Sequence, residues 1–533
     1  MFGKAHHITV SDVCDNIPLM KASKHDGNTG HYSDHIIHGT RRLHVYISLL
    51  LSSMVSHGNA PQALRISTLV PIPKNKRKSL NDSNNYRAIA LSSVLGKLLD
   101  RIILSKYYDN FVTSDYQYGF KKQHSTVNCT FVVNEVIQYY LNNSTNVYTI
   151  LLDASRAFDR VNYIKLFRLL LRRRLCPVVT RFLANMYTSQ SVRVKWGNVI
   201  SPQVLVSNGV KQGGVISPIL FIVYMDELLN NLCMSGVGCH VGNKYCASFG
   251  YADDVILLAP TLHSMKILLS ICELFAKEYD VLFNPDKSKL LVYNVNPKVN
   301  DPVHISFMNG IIKQSETEQH LGNTIGTGYN DVMINNTVKD FYVKVNMVLA
   351  HFSHAASHVR YKLFKSYCMS LYGCQLWDMQ SKSIEQFYVA WRKSVRRILG
   401  IPPMTHCILL HSIAEDKCIQ EQLCQRFIKC IQSMLKSSNV ISKLCVQLAA
   451  SGSRSSVSNN ISFVCKLFNI SREVICTDNT HIQHLHVNVT EATVHASIIR
   501  ELLYMKYCGD ITIEPFILSM NEINALIKSL CCD

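Results

Sequence analysis

The 533-residue sequence has no long apolar run and no CxxC pair of cysteines. Its most apolar stretch, Tyr46 to Val55, is interrupted by serines and is too short to cross a bilayer, so it predicts a buried helix and no membrane partner. The 19 cysteines are scattered, odd in number and follow no signal peptide, which favours a reduced, intracellular compartment. A zinc site built from Cys233, Cys239, His240 and Cys246 is disfavoured, because their spacing lacks the usual knuckle.

Acidic residues are also in short supply. The chain has 37 Asp and Glu against 55 Lys and Arg, a formal net charge of +18. Such an excess favours a polyanionic partner, because phosphate neutralisation releases counterions, although a merely basic soluble protein is the alternative. With 47% hydrophobic residues the chain is typical of folded proteins, and its length predicts two to four domains.

The apolar pattern changes along the chain. Residues 1–42 are polar and without periodicity, which predicts a loop with little core. From Leu43 to about Tyr293, helical and strand-like periods alternate, as in an α+β domain. Beyond Gly326 the pattern is almost purely helical, and Ala450–Asn460 has the composition of a linker. The predicted helices of this region are Val338–His351, Lys362–Leu371, Ile384–Leu399 and Ile419–Leu435.

Two acidic sites follow or interrupt predicted strands. Val147–Leu152 is a short β-branched strand that ends on Asp153, and the pair Asp253–Asp254 is flanked on both sides by strand-forming residues. Paired carboxylates at the tip of an apolar hairpin are costly unless a cation sits there, and Mg²⁺ prefers such oxygens. For an isolated Asp-Asp turn, an ordinary solvated hairpin tip is the alternative.

Nucleotide polymerisation would give a reason for three such carboxylates. Two metal ions on the order of 4 Å apart activate a 3′-hydroxyl and stabilise the leaving pyrophosphate. Asp153 and Asp253 would bridge both Mg²⁺ ions, with Asp254 supporting the second and Mn²⁺ as a substitute. Asp159 is better interpreted as a local helix cap than as a ligand.

A glycine-rich segment lies between these sites, from Gly209 to Phe221. Its three glycines precede a helix opened by Pro218 and let backbone approach a base pair or sugar closely. It is not a Walker loop, because no GK[ST] follows. A tight strand–helix turn is the alternative interpretation.

The ordered series of motifs resembles the reverse transcriptases of non-LTR (LINE-type) retrotransposons. The resemblance is carried by MKASKHDGNTG (Met20–Gly30, with Thr29 in place of the family's Asp), Ser67–Leu104, QYGFKKQHST (Gln117–Thr126), LLDASRAFDRV, GVKQGGVISP, GYADD, FNPDKSKLLVY and HLGNTIG, in family order. A weaker resemblance continues through Trp391–Ala414.

The resemblance implies roles residue by residue. Asp153, Asp253 and Asp254 match the catalytic metal ligands, and Phe158 matches the aromatic steric gate that selects deoxynucleotides, its alternative being a core aromatic. Gln212 and Gly213 match the pair lying against the nascent base pair, where Lys211 departs from the family's frequent Pro and Gly214 from its frequent Ser.

Basic residues match the family's triphosphate contacts. The resemblance implies that Lys74 and Arg87 bind the triphosphate, with Lys76 a poorer candidate, and Arg suits phosphate through its bidentate fork. Lys287 matches the lysine that protonates pyrophosphate, although Lys289 is a neighbour of the same type. His320-Leu321-Gly322 resembles the primer-grip turn, where the family more often has Tyr.

The resemblance implies a right-hand polymerase fold with fingers, palm and thumb. We expect an N-terminal remnant (1–42), fingers and palm (43–326), a helical thumb (327–400) and a helical C-terminal region (401–533) of unassigned role. The partners implied are an RNA template, a DNA primer and dNTPs, with the protein in the nucleus, the cytoplasm or both.

Two alternatives to an active reverse transcriptase stay open. Neither endonuclease nor RNase H motifs are visible in the sequence, so we expect a partial reading frame that relies on a separate endonuclease for the priming nick. A truncated or domesticated element protein would bind RNA without catalysis. A viral RNA-dependent RNA polymerase shares palm topology, but YADD rather than GDD and Phe158 at the sugar position disfavour it.

Overall fold

The computed structural model describes residues 7–27, 30–155, 157–296, 303–407 and 409–476, which form two compact units. The first unit comprises residues up to 122, 148–290 and 301–314, and the second comprises 123–147, 291–300 and 315 onward. In these ranges no helix has both the length and the apolarity needed to span a bilayer. The predicted four-part division of the chain stays a prediction, and Thr29 and residues 477–533 lie outside the described residues.

Helices and strands are numbered here in chain order over the described residues. The α-helices are α1 (Val10–Asn16), α2 (Ser33–Ile37), α3 (Arg41–His57), α4 (Gln62–Arg65), α5 (Val94–Lys106), α6 (Thr126–Asn142), α7 (Tyr163–Arg172), α8 (Pro177–Thr188), α9 (Ser217–Met234), α10 (Leu262–Tyr279), α11 (Tyr329–His351), α12 (Ser357–Leu363), α13 (Ile384–Leu399), α14 (Leu409–Ile413), α15 (Ile419–Lys436), α16 (Val440–Ala450), α17 (Ser456–Phe468) and α18 (Arg472–Cys476). The strands are β1 (Ile66–Pro73), β2 (Tyr86–Leu91), β3 (Val147–Leu152), β4 (Ser191–Trp196), β5 (Val199–Ile200), β6 (Val204–Leu205), β7 (His240–Val241), β8 (Lys244–Tyr245), β9 (Ser248–Tyr251), β10 (Asp254–Ala259), β11 (Lys289–Tyr293), β12 (Ile305–Phe307), β13 (Gly310–Gln314), β14 (Thr317–His320) and β15 (Asn323–Gly326).

The first unit contains two larger sheets, and the mixed α+β class expected from the sequence is confirmed. One sheet has the order β2-β1-β4-β5, with β6 also paired to β4. The other has the order β12-β13-β11-β3-β10-β9, and helices α9 and α10 pack against its strands. Strand β3 and the antiparallel hairpin β9–β10 lie side by side, which brings the ends of distant chain segments together.

The N-terminal segment is not the coreless loop that we predicted. Helix α1 begins at a capping box in which Thr9 and Asp12 exchange side-chain and backbone hydrogen bonds. Val13 on this helix is fully buried, and the helix packs against α3 and α5. The prediction was wrong because a seven-residue helix is too short to show a readable apolar period.

Local signals account for several helix boundaries. Helix α7 is capped by Asn162, whose side chain accepts a hydrogen bond from the Lys165 N–H, so the capping role predicted for Asp159 was wrong. Asp159 instead lies inside a 3₁₀ turn, Ala157–Arg160. The predictions of β3 and of helix Ile384–Leu399 are confirmed at both ends.

The second unit is largely helical. Helix α6 is buried at every position from Val127 to Ile137, so it lacks the one-sided apolar stripe of a surface helix. The prediction of a linker over Ala450–Asn460 was wrong in its second half. Helix α17 begins there at Ser456, with the Ser455 side chain as its N-cap. The helix predicted over Lys362–Leu371 is instead the end of α12 followed by a π turn, Phe364–Cys368.

Candidate active site

Three carboxylates lie at one edge of the larger sheet in the first unit. Asp153 follows β3 directly, while Asp253 lies in the turn between β9 and β10, and Asp254 begins β10. In the antiparallel ladder Val255 is opposite Leu152, so the next step along the ladder leads to Asp254 and Asp153. The structure therefore brings together acidic residues that are about a hundred positions apart in the sequence.

The negative charges of neighbouring carboxylates affect the pKa values of Asp253 and Asp254. Desolvation and the negative charge of Asp153 raise the pKa of Asp253, against its own backbone N–H and the positive charge of Arg87. Desolvation and the charges of Asp253 and Asp153 raise the pKa of Asp254 to about 6, although its side chain is partly exposed. Over the described residues no group of three His, Cys, Asp or Glu is already closed around one point. The edge is thus a cluster of repelling oxygens rather than a finished ligand set.

Asp153 is held by the loop of the FNPDKSKLLVY motif, through two residues to which the sequence analysis gave no role. The Asp153 N–H donates to Ser288 Oγ at 3.2 Å, and the Asp153 carbonyl accepts from the Asn284 N–H at 2.9 Å. Ser288 is fully buried and its hydroxyl donates back to the Asn284 carbonyl at 2.8 Å. The place of Ser288 inside the FNPDKSKLLVY motif, next to Lys287, was the signal in the sequence that could have identified this support.

Lys287, in the same loop, reaches the acidic edge. Its Nζ forms an ion pair with Asp153 Oδ2 at 3.6 Å, and its side chain is 62% exposed, so the ammonium is accessible to a phosphate. Lys289 instead begins strand β11. The structure therefore distinguishes Lys287 from Lys289, which the sequence alone could not do.

The glycine-rich segment is bonded to both sides of the site. The Gln212 carbonyl accepts from the Ala90 N–H of β2 at 2.6 Å, and the Val210 N–H donates to the Phe158 carbonyl at 2.8 Å. Gly213 has φ +109°, and a Cβ there would lie 2.8 Å from the Ala90 carbonyl oxygen. Only glycine fits this approach, so backbone at Gln212–Gly213 is presented between β2 and the Phe158 turn.

Lys211 has a carboxylate partner on helix α5. Burial lowers the pKa of Lys211, and the charge of Asp100 opposes that shift. Burial raises the pKa of Asp100 to about 6, against the charge of Lys211 and the N–H groups of Ile216 and Val215. The departure from the family's proline is therefore matched by a half-buried acid that also accepts the Ile216 N–H at 3.4 Å.

Phe158 is fixed by another ring. It stacks on Phe221 with centroids 4.2 Å apart and an angle of 18° between the ring planes, and Phe120 meets it edge-on at 6.5 Å. Phe158 is only half-buried, so part of its ring faces away from the core, and it follows Asp153 by five positions in the chain. This placement suits a rigid wall beside the acidic edge.

The basic residues of the β1–β2 segment are placed differently from one another. Arg87 is exposed on β2 and close enough to lower the pKa of Asp253. Lys74 is exposed as well, but its Nζ donates to the Asn84 carbonyl at 2.9 Å within its own loop. Lys76 is also exposed. The structure thus brings Arg87 and Lys287 to the acidic edge, while Lys74 is engaged locally.

The turn resembling the primer grip belongs to the second unit. It joins β14 to β15, with Leu321 at φ +53° and Gly322 at φ +78°. His320 is 5% exposed, and neither ring nitrogen has a hydrogen-bond partner among the described residues. This histidine is a packing residue in the structure.

Comparison with known proteins identifies relatives of this chain. Residues 72–325 match the family model described as "Reverse transcriptase (RNA-dependent DNA polymerase)". The Pol polyprotein of the type-2 retrotransposable element R2DM of Drosophila melanogaster is 27% identical over 45% of this chain and 22% of its own length. The RNA-directed DNA polymerase from the mobile element jockey of Drosophila melanogaster is 25% identical over 67% of this chain and 40% of its own length.

The alignments thus span less than half the length of these two relatives. Among solved structures, telomerase from Candida albicans in complex with a telomeric RNA fragment is similar at a TM-score of 0.35 and 11% identity, over 80% of this chain and 66% of that chain.

Proposed function

The chain belongs to the reverse transcriptases of non-LTR retrotransposons, and on that premise we propose that it copies RNA into DNA by two-metal nucleotidyl transfer. The right-hand polymerase fold predicted from the order of the motifs is confirmed by this membership. The observation that carries the proposed activity is the cluster formed by Asp153, Asp253 and Asp254. Desolvation and the charges of neighbouring carboxylates raise the pKa of the two carboxyls of the turn.

The acidic edge fits divalent cations. Reverse transcriptases generally use divalent metal ions, and this chain offers repelling carboxylate oxygens, the donors that Mg²⁺ prefers. We propose that Asp153, Asp253 and Asp254 hold two Mg²⁺ ions, with Mn²⁺ as a substitute. Bound there, the ions would stabilise charge on the attacking 3′-oxygen and on the leaving pyrophosphate. The positive charge would also lower the raised pKa values of Asp253 and Asp254.

The surrounding residues suit a deoxynucleoside triphosphate. Arg87 and Lys287 supply positive charge at the acidic edge for the phosphates, and Lys74 would join them by leaving its carbonyl partner. Gln212 and Gly213 present backbone for the nascent base pair. The Phe158 ring would lie beneath the sugar and exclude a 2′-hydroxyl, since its stacking on Phe221 prevents it from moving aside.

We propose an RNA template and a DNA primer as the macromolecular partners. The jockey relative is named an RNA-directed DNA polymerase, and the +18 charge of this chain suits a template–primer duplex. A separate endonuclease would supply the priming nick, and we place the protein in the nucleus, the cytoplasm or both.

Primer extension tests the proposed function. Purified protein, a DNA primer on an RNA template and Mg²⁺ should give a DNA product with dNTPs and none with rNTPs alone. An RNA product would instead indicate an RNA polymerase, and RNA binding without any product would indicate a domesticated element protein. EDTA should stop extension, and restored Mg²⁺ should recover it.

A further inference from the structure

The turn that carries Asp253 and Asp254 contains a residue in an unfavourable backbone conformation. Ala252 has φ +60°, the left-handed region that side-chain-bearing residues rarely adopt. Such a conformation persists only where surrounding contacts impose it. The direction in which the two carboxylates leave the turn depends on this one residue, so whatever holds Ala252 also orients them.

Gln117 provides the contact. Its Oε1 accepts from the Ala252 N–H at 3.0 Å and from the Gly119 N–H at 2.9 Å. Because both partners are N–H donors, the accepting atom must be the amide oxygen. The residue is fully buried, and its Nε2 has no hydrogen-bond partner among the described residues. The function of this side chain therefore resides in its oxygen.

The backbone around Gln117 runs beside β9 and reinforces the same contact. The Tyr118 N–H donates to the Gly250 carbonyl at 2.7 Å, and the Gly250 N–H donates to the Tyr116 carbonyl at 2.9 Å. A Cβ on Gly119 would lie only 2.5 Å from the Ala252 nitrogen. The segment is thus pressed against the turn, and any side chain at position 119 would displace one of them.

The segment has its own anchor on helix α9. Asp226, buried there, accepts from the Ser114 N–H at 3.0 Å and from the Ser114 hydroxyl at 2.6 Å. Arg173 Nη2 completes the anchor at 2.7 Å from Asp226 Oδ2. The segment that carries Gln117 is therefore held by helix α9 as well as by strand β9.

We propose that Gln117 is a positioning residue for the acidic edge: its Oε1 holds Ala252 left-handed and thereby sets where Asp253 and Asp254 present their carboxylates. The inference rests on the proposed polymerase function for its consequence in catalysis, but its consequence for cation binding is independent of turnover. A residue that merely fills the core would affect stability without changing cation affinity.

The test compares Gln117→Met, which keeps the length and removes the acceptor, with Gln117→Glu. Burial favours the neutral form of the introduced carboxyl, which still accepts both N–H bonds. Gln117→Met should lower kcat for primer extension on the order of 100-fold, the size expected for a small misplacement of catalytic groups, with the KM for dNTP within about twofold. Its Mn²⁺ affinity, measured by calorimetry on the metal-free protein, should fall about tenfold or more. Gln117→Glu should recover most of both losses.

Gln432→Met is the matched control, because Gln432 is also a buried glutamine but lies in α15 of the second unit. It should leave Mn²⁺ affinity unchanged. If Gln117→Met loses stability like the control but binds Mn²⁺ as the unaltered protein does, the positioning role is overturned. If Gln117→Met does not fold, Gly119→Ala decides the question, since it keeps the glutamine and displaces the turn; normal Mn²⁺ affinity and kcat in that variant would also overturn the proposal. If the unaltered protein extends no primer yet Gln117→Met weakens Mn²⁺ binding, the positioning role stands and the proposed function fails.

Discussion

Two hairpin turns, one in each unit, both contain a non-glycine residue with positive φ. They differ in their side chains, which are accessible carboxylates in one turn and a buried histidine in the other. The turn between β9 and β10 places Ala252 at φ +60°, and the turn between β14 and β15 places Leu321 at φ +53°. Each is secured by a side chain from elsewhere in its own unit. Gln117 accepts from the Ala252 N–H at 3.0 Å, and the Tyr372 hydroxyl donates to the Leu321 carbonyl at 2.8 Å.

The side chains of the two turns differ in what they are available for. Asp253 and Asp254 keep access to solvent. Desolvation and the negative charge of Asp153 raise the pKa of both carboxyls, and the charge of Asp253 adds to the shift of Asp254. His320 is buried, and burial lowers its pKa to about 4. A strained turn is therefore not in itself a sign of a binding site. What distinguishes the first turn is unneutralised charge that remains accessible.

The largest effect is expected from Asp253→Asn, which would break the charged turn. This hypothesis follows from the raised pKa of Asp253 beside Asp153: a cation that relieves the repulsion would lose one ligand charge. Primer extension should fall on the order of 1,000-fold, the upper range for loss of one electrostatic contact at a reacting centre. RNA binding, measured by filter retention or anisotropy, should be nearly unchanged, and loss of RNA binding would show that Asp253 is structural instead.

A second prediction concerns the buried turn and pH. The pKa of His320 is lower in the folded protein (about 4) than its ordinary value of 6.5, so the unfolded chain binds more protons between these values. Stability should therefore be lost as pH falls from about 6.5 toward 4, by about 3 kcal/mol from this group. His320→Leu should remove that part of the acid sensitivity in denaturant unfolding at pH 7.5 and 4.5.

His354→Leu is the control for this prediction, because His354 is an exposed histidine of the same unit. It should leave the pH dependence of unfolding as it is. Equal pH dependence in the His320→Leu and unaltered proteins would contradict the account of an unpartnered buried imidazole.

The smallest of the three effects is expected at the wall beside the charged turn. Phe158→Val should remove the ring that stacks on Phe221 and open space for a 2′-hydroxyl. The ratio of kcat/KM for dNTP over rNTP should fall roughly 10- to 100-fold, as for other pockets that discriminate by shape. Phe120→Val, which alters the edge-on neighbour instead, should change the ratio less. If Phe158→Val leaves sugar selection unchanged, Phe158 is a core aromatic and no gate.

Features that depend on neighbouring residues were predicted well. Strand β3, helix α13 and the opening of α9 at Pro218 follow from local apolar patterns and from proline geometry, and each was predicted at or near its observed bounds. The N-terminal helix and the start of α17 were missed. In both cases a short cap, at Thr9 and at Ser455, outweighed a polar composition.

The long-range contacts that hold the acidic edge could not be predicted from local sequence patterns. Ser288 holds Asp153 across 135 positions of sequence, and Gln117 holds Ala252 across the same separation. Lys211 stood out in the sequence as a departure from proline, but its charge partner Asp100 did not, and only the structure brings the two together. Such pairs leave no periodicity for sequence analysis to detect.

By itself, the sequence determined which residue types are present for the proposed chemistry and in what order, because motif spacing and strand-forming runs are properties of neighbouring positions. Only the tertiary structure decided which of those residues meet. It brought Arg87 and Lys287 to the carboxylates, left Lys74 bonded within its own loop and buried His320. The physical reason is that charge interaction and desolvation depend on distance in space, which sheet pairing and helix packing set and local sequence does not.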